Sequence, residues 1–171
     1  MNSMTSTRML GFIGLATIVA SFIAPWATIK FEYLSVDYTL FDLTTLMFNP
    51  NPVEAGGFKA RLIISLFALA GSGAVDAVLA FEIHVTATFL SLLLAVVSVI
   101  LDMKRGYALT LVCITLSSTL FVYAISRLYA NLPSAVTLLS YSYDVGLLIY
   151  ILNSITYAAC ILTPLKGRLA R

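Results

Sequence analysis

Residues 62–81 read LIISLFALAGSGAVDAVLAF, and how this stretch is disposed decides the fold. It contains a single charge, Asp76. At about 1.5 Å per residue, a helix of this length matches the roughly 30 Å hydrocarbon core of a bilayer. A run that stopped halfway across would leave backbone hydrogen bonds unmade against lipid, so it is expected to cross.

The rest of the chain is of the same kind. Of 171 residues, 60% are hydrophobic and only 11% charged, against about 25% charged in a soluble domain. Further apolar runs lie at 9–26, 86–101, 107–126 and 145–165. The first could serve as a signal peptide with Val19-Ala20-Ser21 as its cleavage site. Pro25-Trp26 fits better with a retained helix, Trp26 being its interface anchor. The run 86–101 is short for a span unless Val85 and Asp102 sit at the interfaces. The expected fold is an all-α integral membrane protein, a single polytopic domain of four to five transmembrane helices. Its partners are then the lipid bilayer and other membrane chains, or further copies of itself. Basic residues are scattered at the ends of apolar runs, where positive-inside topology puts them, and form no nucleic-acid patch. Cys113 and Cys160 lie inside apolar runs, so no disulfide framework is expected.

Residues 27–60 are the only substantial polar segment and read as a small β-rich cap. Ile29, Phe31 and Tyr33 alternate with polar residues, as do Val36, Tyr38 and Leu40, and the phase slips at Tyr33-Leu34. Two short strands joined by a turn or bulge follow. Asp42 is expected to cap a short helix at 43–48, which Asn49-Pro50-Asn51-Pro52 stops. Gly56-Gly57 forms a hinge into the next segment.

Lys104-Arg105 and Lys166/Arg168/Arg171 flank the last two helices on one side, so both clusters and the C-terminus are expected in the cytoplasm. If 62–81 also spans, eight basic residues fall inside and two outside, and the cap is cytoplasmic. This five-span arrangement is the favoured expectation. It predicts that a cysteine at Ser35 is shielded from an impermeant reagent while one at Ser134 reacts. The alternative keeps 62–81 interfacial or re-entrant, puts the cap outside, and scores six against four. In topology and in Trp26 it resembles the tetraspan arrangement of claudin-like proteins: a first helix, a Trp at its outer end, a β-rich extracellular segment, then three helices. The Gly-Leu-Trp and paired-Cys motif of that family is absent from residues 27–60.

Few residues carry chemistry. Asp76, if intramembrane, costs about 2.5–3.5 kcal/mol and is a functional candidate, with Glu82 or His84 as relay partners. The plainer account is a carboxyl hydrogen-bonded to Ser72 or to a neighbouring helix. Ala70, Ala74 and Ala77 share a helix face and, with Gly11 and Gly14, suggest close packing between the first two helices. His84 is expected in a solvated loop, since one His beside one Glu falls short of a metal site. Ser117, Ser118, Ser126, Asn153, Ser154 and Thr156 fit interhelical hydrogen bonds. No serine or cysteine has an evident base, and no cofactor or catalytic set is expected. What remains is association: an accessory or scaffold subunit, or a surface-interaction protein. A small channel or transporter using Asp76 is the alternative, and an intramembrane enzyme a weaker one.

Overall fold

A computed structural model describes residues 6–31, 33–133, 136 and 139–163; Ser134, Lys166, Arg168 and Arg171 lie outside them. In chain order the elements are α1 (Ser6–Ile23), β1 (Pro25–Phe31), β2 (Leu34–Thr39), α2 (Leu40–Phe48), α3 (Pro52–Ala70), a 3-10 turn (Gly71–Ala74), α4 (Val75–Leu101), α5 (Lys104–Ala130), β3 (Ser140–Tyr143) and α6 (Val145–Leu162). Among the described residues, four helical runs are long and apolar enough to cross a membrane: Ser6–Ile23, Pro52–Leu101, Lys104–Ala130 and Val145–Leu162.

Helices α1, α4, α5 and α6 form an up-and-down bundle in which each packs on the next and α6 returns to α1. Glycines set the approach of α1. A Cβ on Gly11 would lie 2.7 Å from the Tyr107 hydroxyl, and one on Gly14 would lie 2.9 Å from the Tyr157 ring. These two glycines therefore seat tyrosines of α5 and α6. They do not face the alanines at 70, 74 and 77, as the sequence had suggested.

At one end of the bundle the three strands form an antiparallel sheet of order β2-β1-β3. β1 is the central strand, and four of its seven residues are buried. Ala27 to Lys30 pair with Tyr143 to Ser140, so the cap and the segment entering α6 lie at the same end. α3 lies at this end too. The Tyr38 hydroxyl donates to the Lys59 carbonyl at 3.0 Å, and Leu66 shares an apolar pocket with Ala27, Ile29 and Leu139. Asn131, at the end of α5, donates to the Gly73 carbonyl at 2.9 Å.

Here the structure departs from the helix expected over 62–81. Residues 62–81 are not one helix. The chain breaks at Gly71, whose φ of 59° an L side chain rarely adopts. Residues 62–70 run over the sheet, and 75–81 begin α4. Part of their apolar character serves the protein's own core, where Ile63, Leu66, Ala77 and Phe81 are buried, while Ile64, Leu69, Val75 and Leu79 stay exposed; a protein core leaves the same mark on sequence as lipid does. The buried alanines straddle the break: Ala70 ends α3, Ala74 ends the turn and Ala77 begins α4. The span thought to be short gains its missing length from the same shift. His84 is level with Trp26, so α4 keeps 18 residues, 84 to 101, beside the 18 of α1.

At the opposite end, two helix C-termini are closed by basic side chains. Arg8 Nε donates to the Val99 carbonyl at 2.8 Å, and Lys104 Nζ reaches the carbonyls of Ile161 (2.9 Å) and Thr163 (2.7 Å). Cations there satisfy orphan carbonyls and oppose the negative end of the helix dipole.

In the cap, α2 starts on a capping box. Thr39 accepts from the Asp42 N–H at 3.2 Å, and Asp42 accepts from the Thr39 N–H at 2.9 Å. Asp42 thus stands at the third helical position with Thr39 as the cap, one turn from the role expected of it. Pro52 opens α3 upstream of the glycine hinge, and Gly57, at φ 56°, kinks that helix. The Asp42 carboxylate also meets Lys59 Nζ at 2.9 Å. Partial burial pushes its pKa up, but the hydrogen bonds from Thr39 and Lys59 outweigh this and hold it below the ordinary carboxylate value. A group depressed on folding stabilises above its unfolded pKa of about 4, and that contribution is lost as pH falls through the folded value. Melting followed by circular dichroism from pH 7 to pH 3 should therefore show an acid-induced loss that is smaller in Asp42→Asn. Parallel curves for the two proteins would contradict this role.

Candidate functional site

Where sheet and bundle meet, a β-bulge shifts the β1–β2 register between Pro25 and Ala27. A bulge turns the strand and re-aims a side chain. Here it sends Trp26 into the bundle, fully buried. Its indole N–H donates to the Ser21 carbonyl at 2.6 Å, and its rings lie 5.1 Å from His84, 5.2 Å from Phe121 and 4.9 Å from Tyr150. It is a plug at the centre of the protein, contrary to the interface anchor expected from sequence. The neighbouring chain is shaped to admit it. The Trp26 carbonyl accepts from the Asp144 N–H at 3.0 Å, and a Cβ on Gly146 would lie 2.6 Å from the Ala24 carbonyl and 2.7 Å from that of Pro25. The Thr28 hydroxyl sits between the carboxylates of Asp37 (2.7 Å) and Asp144.

Beneath Trp26 lies a polar core. His84 is fully buried in α4, not in a loop. The sequence could not reveal this, because Glu82 and His84 sit among residues whose burial depends on α5. His84 Nδ1 lies 3.1 Å from the Ser117 carbonyl and 2.9 Å from Ser117 Oγ. Ser117 Oγ is 2.6 Å from Thr88 Oγ1, and Ser91 Oγ is 2.8 Å from the Tyr150 hydroxyl. The network ties α4 to α5 and to α6. His84 Nε2 has no protein partner among the described residues. One turn further down, Asn153 of α6 accepts from Thr17 of α1.

A serine hydroxyl at hydrogen-bond distance from an imidazole is the first requirement of nucleophilic catalysis. No base for a serine is evident in the sequence; the fold supplies one from 33 positions away. Ser117 is nevertheless fully buried, and aromatic rings of Trp26, Phe81 and Phe121 close around the imidazole at 5.0–5.8 Å. The arrangement is suited to holding helices together. Among the described residues, no three His, Cys, Asp or Glu side chains are grouped to hold a metal ion.

Asp76 stands apart from this core. It is exposed in the first turn of α4 at the sheet end, 3.6 Å from Arg127 of α5. The sequence offered no basic partner in its own run; the partner comes from a neighbouring helix. An exposed pair of this kind contributes about 0–1 kcal/mol. Cys113 and Cys160 are both free and buried. Of the expected hydrogen-bonding residues, Ser117 and Asn153 link helices, whereas Ser118 and Ser154 bond back to their own, at 2.9 Å and 2.5 Å. Comparison with family models, curated proteins and solved structures gives no match.

Ser117→Ala strips His84 and Thr88 of a shared partner in a dry site and should cost about 1–3 kcal/mol. Thr115→Ala, removing an exposed hydroxyl bonded to its own helix at 3.0 Å, should stay within about 0.5 kcal/mol. Unfolding in mixed detergent compares the two, and equal effects would mean the network holds nothing. Gly146→Ala forces a methyl against two carbonyls of the backbone, which cannot swing aside as a side chain would. A loss of about 1–3 kcal/mol or more is expected, with a changed Trp26 emission spectrum.

Proposed function

We propose that this chain is a tetraspan membrane protein that works by association, as an accessory or scaffold subunit or a surface-interaction protein. The supporting observation is the rigid cap. Its central strand is paired on both sides, Trp26 fixes it to the bundle, and α3 covers it. From this base the β1–β2 hairpin projects Tyr33, 93% exposed, and Leu34, with Phe58 exposed on α3. Aromatic side chains held on a fixed scaffold suit recognition, since little entropy remains to be lost on binding.

The bundle interior favours this reading over transport. Trp26, Phe121, Tyr107, Tyr150 and Tyr157 fill it and are fully buried. Asp76, the residue on which the transport alternative depends, lies on the surface in an ion pair. An intramembrane enzyme draws only on the Ser117–His84 contact, which the ring stack shields.

Arg8, Lys104 and Arg105 lie at the end where α6 finishes, and Lys166, Arg168 and Arg171 follow α6 in the sequence, against Lys30, Lys59, Arg61 and Arg127 at the sheet end. Positive-inside orientation then puts the C-terminus in the cytoplasm and the cap outside. In intact cells an impermeant thiol reagent should label Ser35→Cys and Ser140→Cys alike, and Met103→Cys only after permeabilisation. A protected Ser35→Cys beside a labelled Ser140→Cys would refute the β1–β3 pairing itself. For association, a photoreactive residue at Tyr33 or Leu34 should yield a discrete protein adduct in native membranes. Adducts with lipid alone, or none, would remove the cap from the reading.

A further inference from the structure

We propose that α2 is a monotopic membrane element, seated in the acyl chains of the sheet-end leaflet, with lipid covering Phe41 and Phe48. The first support is depth. The Phe48 ring lies 6.5 Å from Phe89, and Phe89 lies 5.6 Å from Phe22 in the last turns of α1. Phe89 is five residues past His84 along α4, about 7–8 Å further from the cap. α2 therefore descends beside α1 and α4, below the level of Trp26.

The second support is how the faces of this nine-residue helix are divided. Leu40 and Leu43 point inward and are buried. Asp42 turns to α3, where Lys59 meets it at 2.9 Å, and it also accepts from the hydroxyl of Thr39, the cap of α2, at 2.9 Å. Phe41 and Phe48, two turns apart on a third face, are 71% and 63% exposed. The one charge of the helix is thus matched inside the protein, and two phenyl rings are presented outward. A helix whose single charge is matched within the protein and whose outward face is aromatic is suited to the boundary between headgroups and acyl chains.

The third support is continuity. The spans against which α2 lies present Val19 and Ile23 on α1, and Leu90 and Leu93 on α4, as exposed apolar side chains. In a bilayer these residues face acyl chains. Phe48, in ring contact with Phe89 of the same span, continues that surface toward the cap.

The test uses the full chain in phosphatidylcholine liposomes, with a nitroxide attached at Phe48→Cys. Collision rates with molecular oxygen, which partitions into acyl chains, are compared with those of a water-soluble nickel chelate. Val19→Cys gives the lipid-facing reference and Ser35→Cys the aqueous one. Oxygen collisions should dominate at position 48, as at 19. Dominance of the nickel chelate, as at 35, would overturn the proposal and put α2 in water. Exclusion of both reagents would also overturn it, since a protein surface would then cover the helix. If Phe48→Cys does not fold, Phe41→Cys on the same face carries the same comparison.

Discussion

One indole ring holds the two halves of this protein together. Trp26 belongs to the sheet by its backbone and to the bundle by its side chain, with rings of α4, α5 and α6 around it. A buried aromatic of this size removes about 150–250 Å² from water or lipid. Its position depends on two departures from regular structure. The bulge frees residue 26 from the β2 register, and Gly146 lets α6 begin against the Ala24 and Pro25 carbonyls.

Much of the architecture was legible in the sequence, because membrane spans and alternating strands leave strong periodic or continuous signals. The runs at 9–26, 107–126 and 145–165 correspond to α1, α5 and α6, and the phase slip at Tyr33-Leu34 marks the hairpin between β1 and β2. Residues 62–81 misled because hydropathy measures avoidance of water and is blind to what replaces it. The Gly71-Ser72-Gly73 triplet was the available sign of a break. The polar core was not legible at all. His84 and Ser117, and Ser91 and Tyr150, are brought together by packing between helices, and no local pattern announces a contact across 33 or 59 positions. Trp26 was noticed, but a tryptophan at the end of a span reads the same whether it points at headgroups or into the bundle.

The interior shows how a helical bundle can be both apolar and specific. In a bilayer, apolar contact alone distinguishes poorly between one helix pairing and another, since lipid is an equally good neighbour. Directional bonds from His84 to Ser117 and from Ser91 to Tyr150 select one register among α4, α5 and α6. Glycines 11 and 14 select the register of α1 through the tyrosines they admit.

The sheet imposes an order of assembly. β1 leaves the ribosome more than a hundred residues before β3 and Gly146, which lie at the entry to α6. Until that segment has been made, the central strand lacks one neighbour and Trp26 lacks the α6 wall of its pocket. A chain cut short before β3 would leave β1 open on one edge and the indole without its α6 wall.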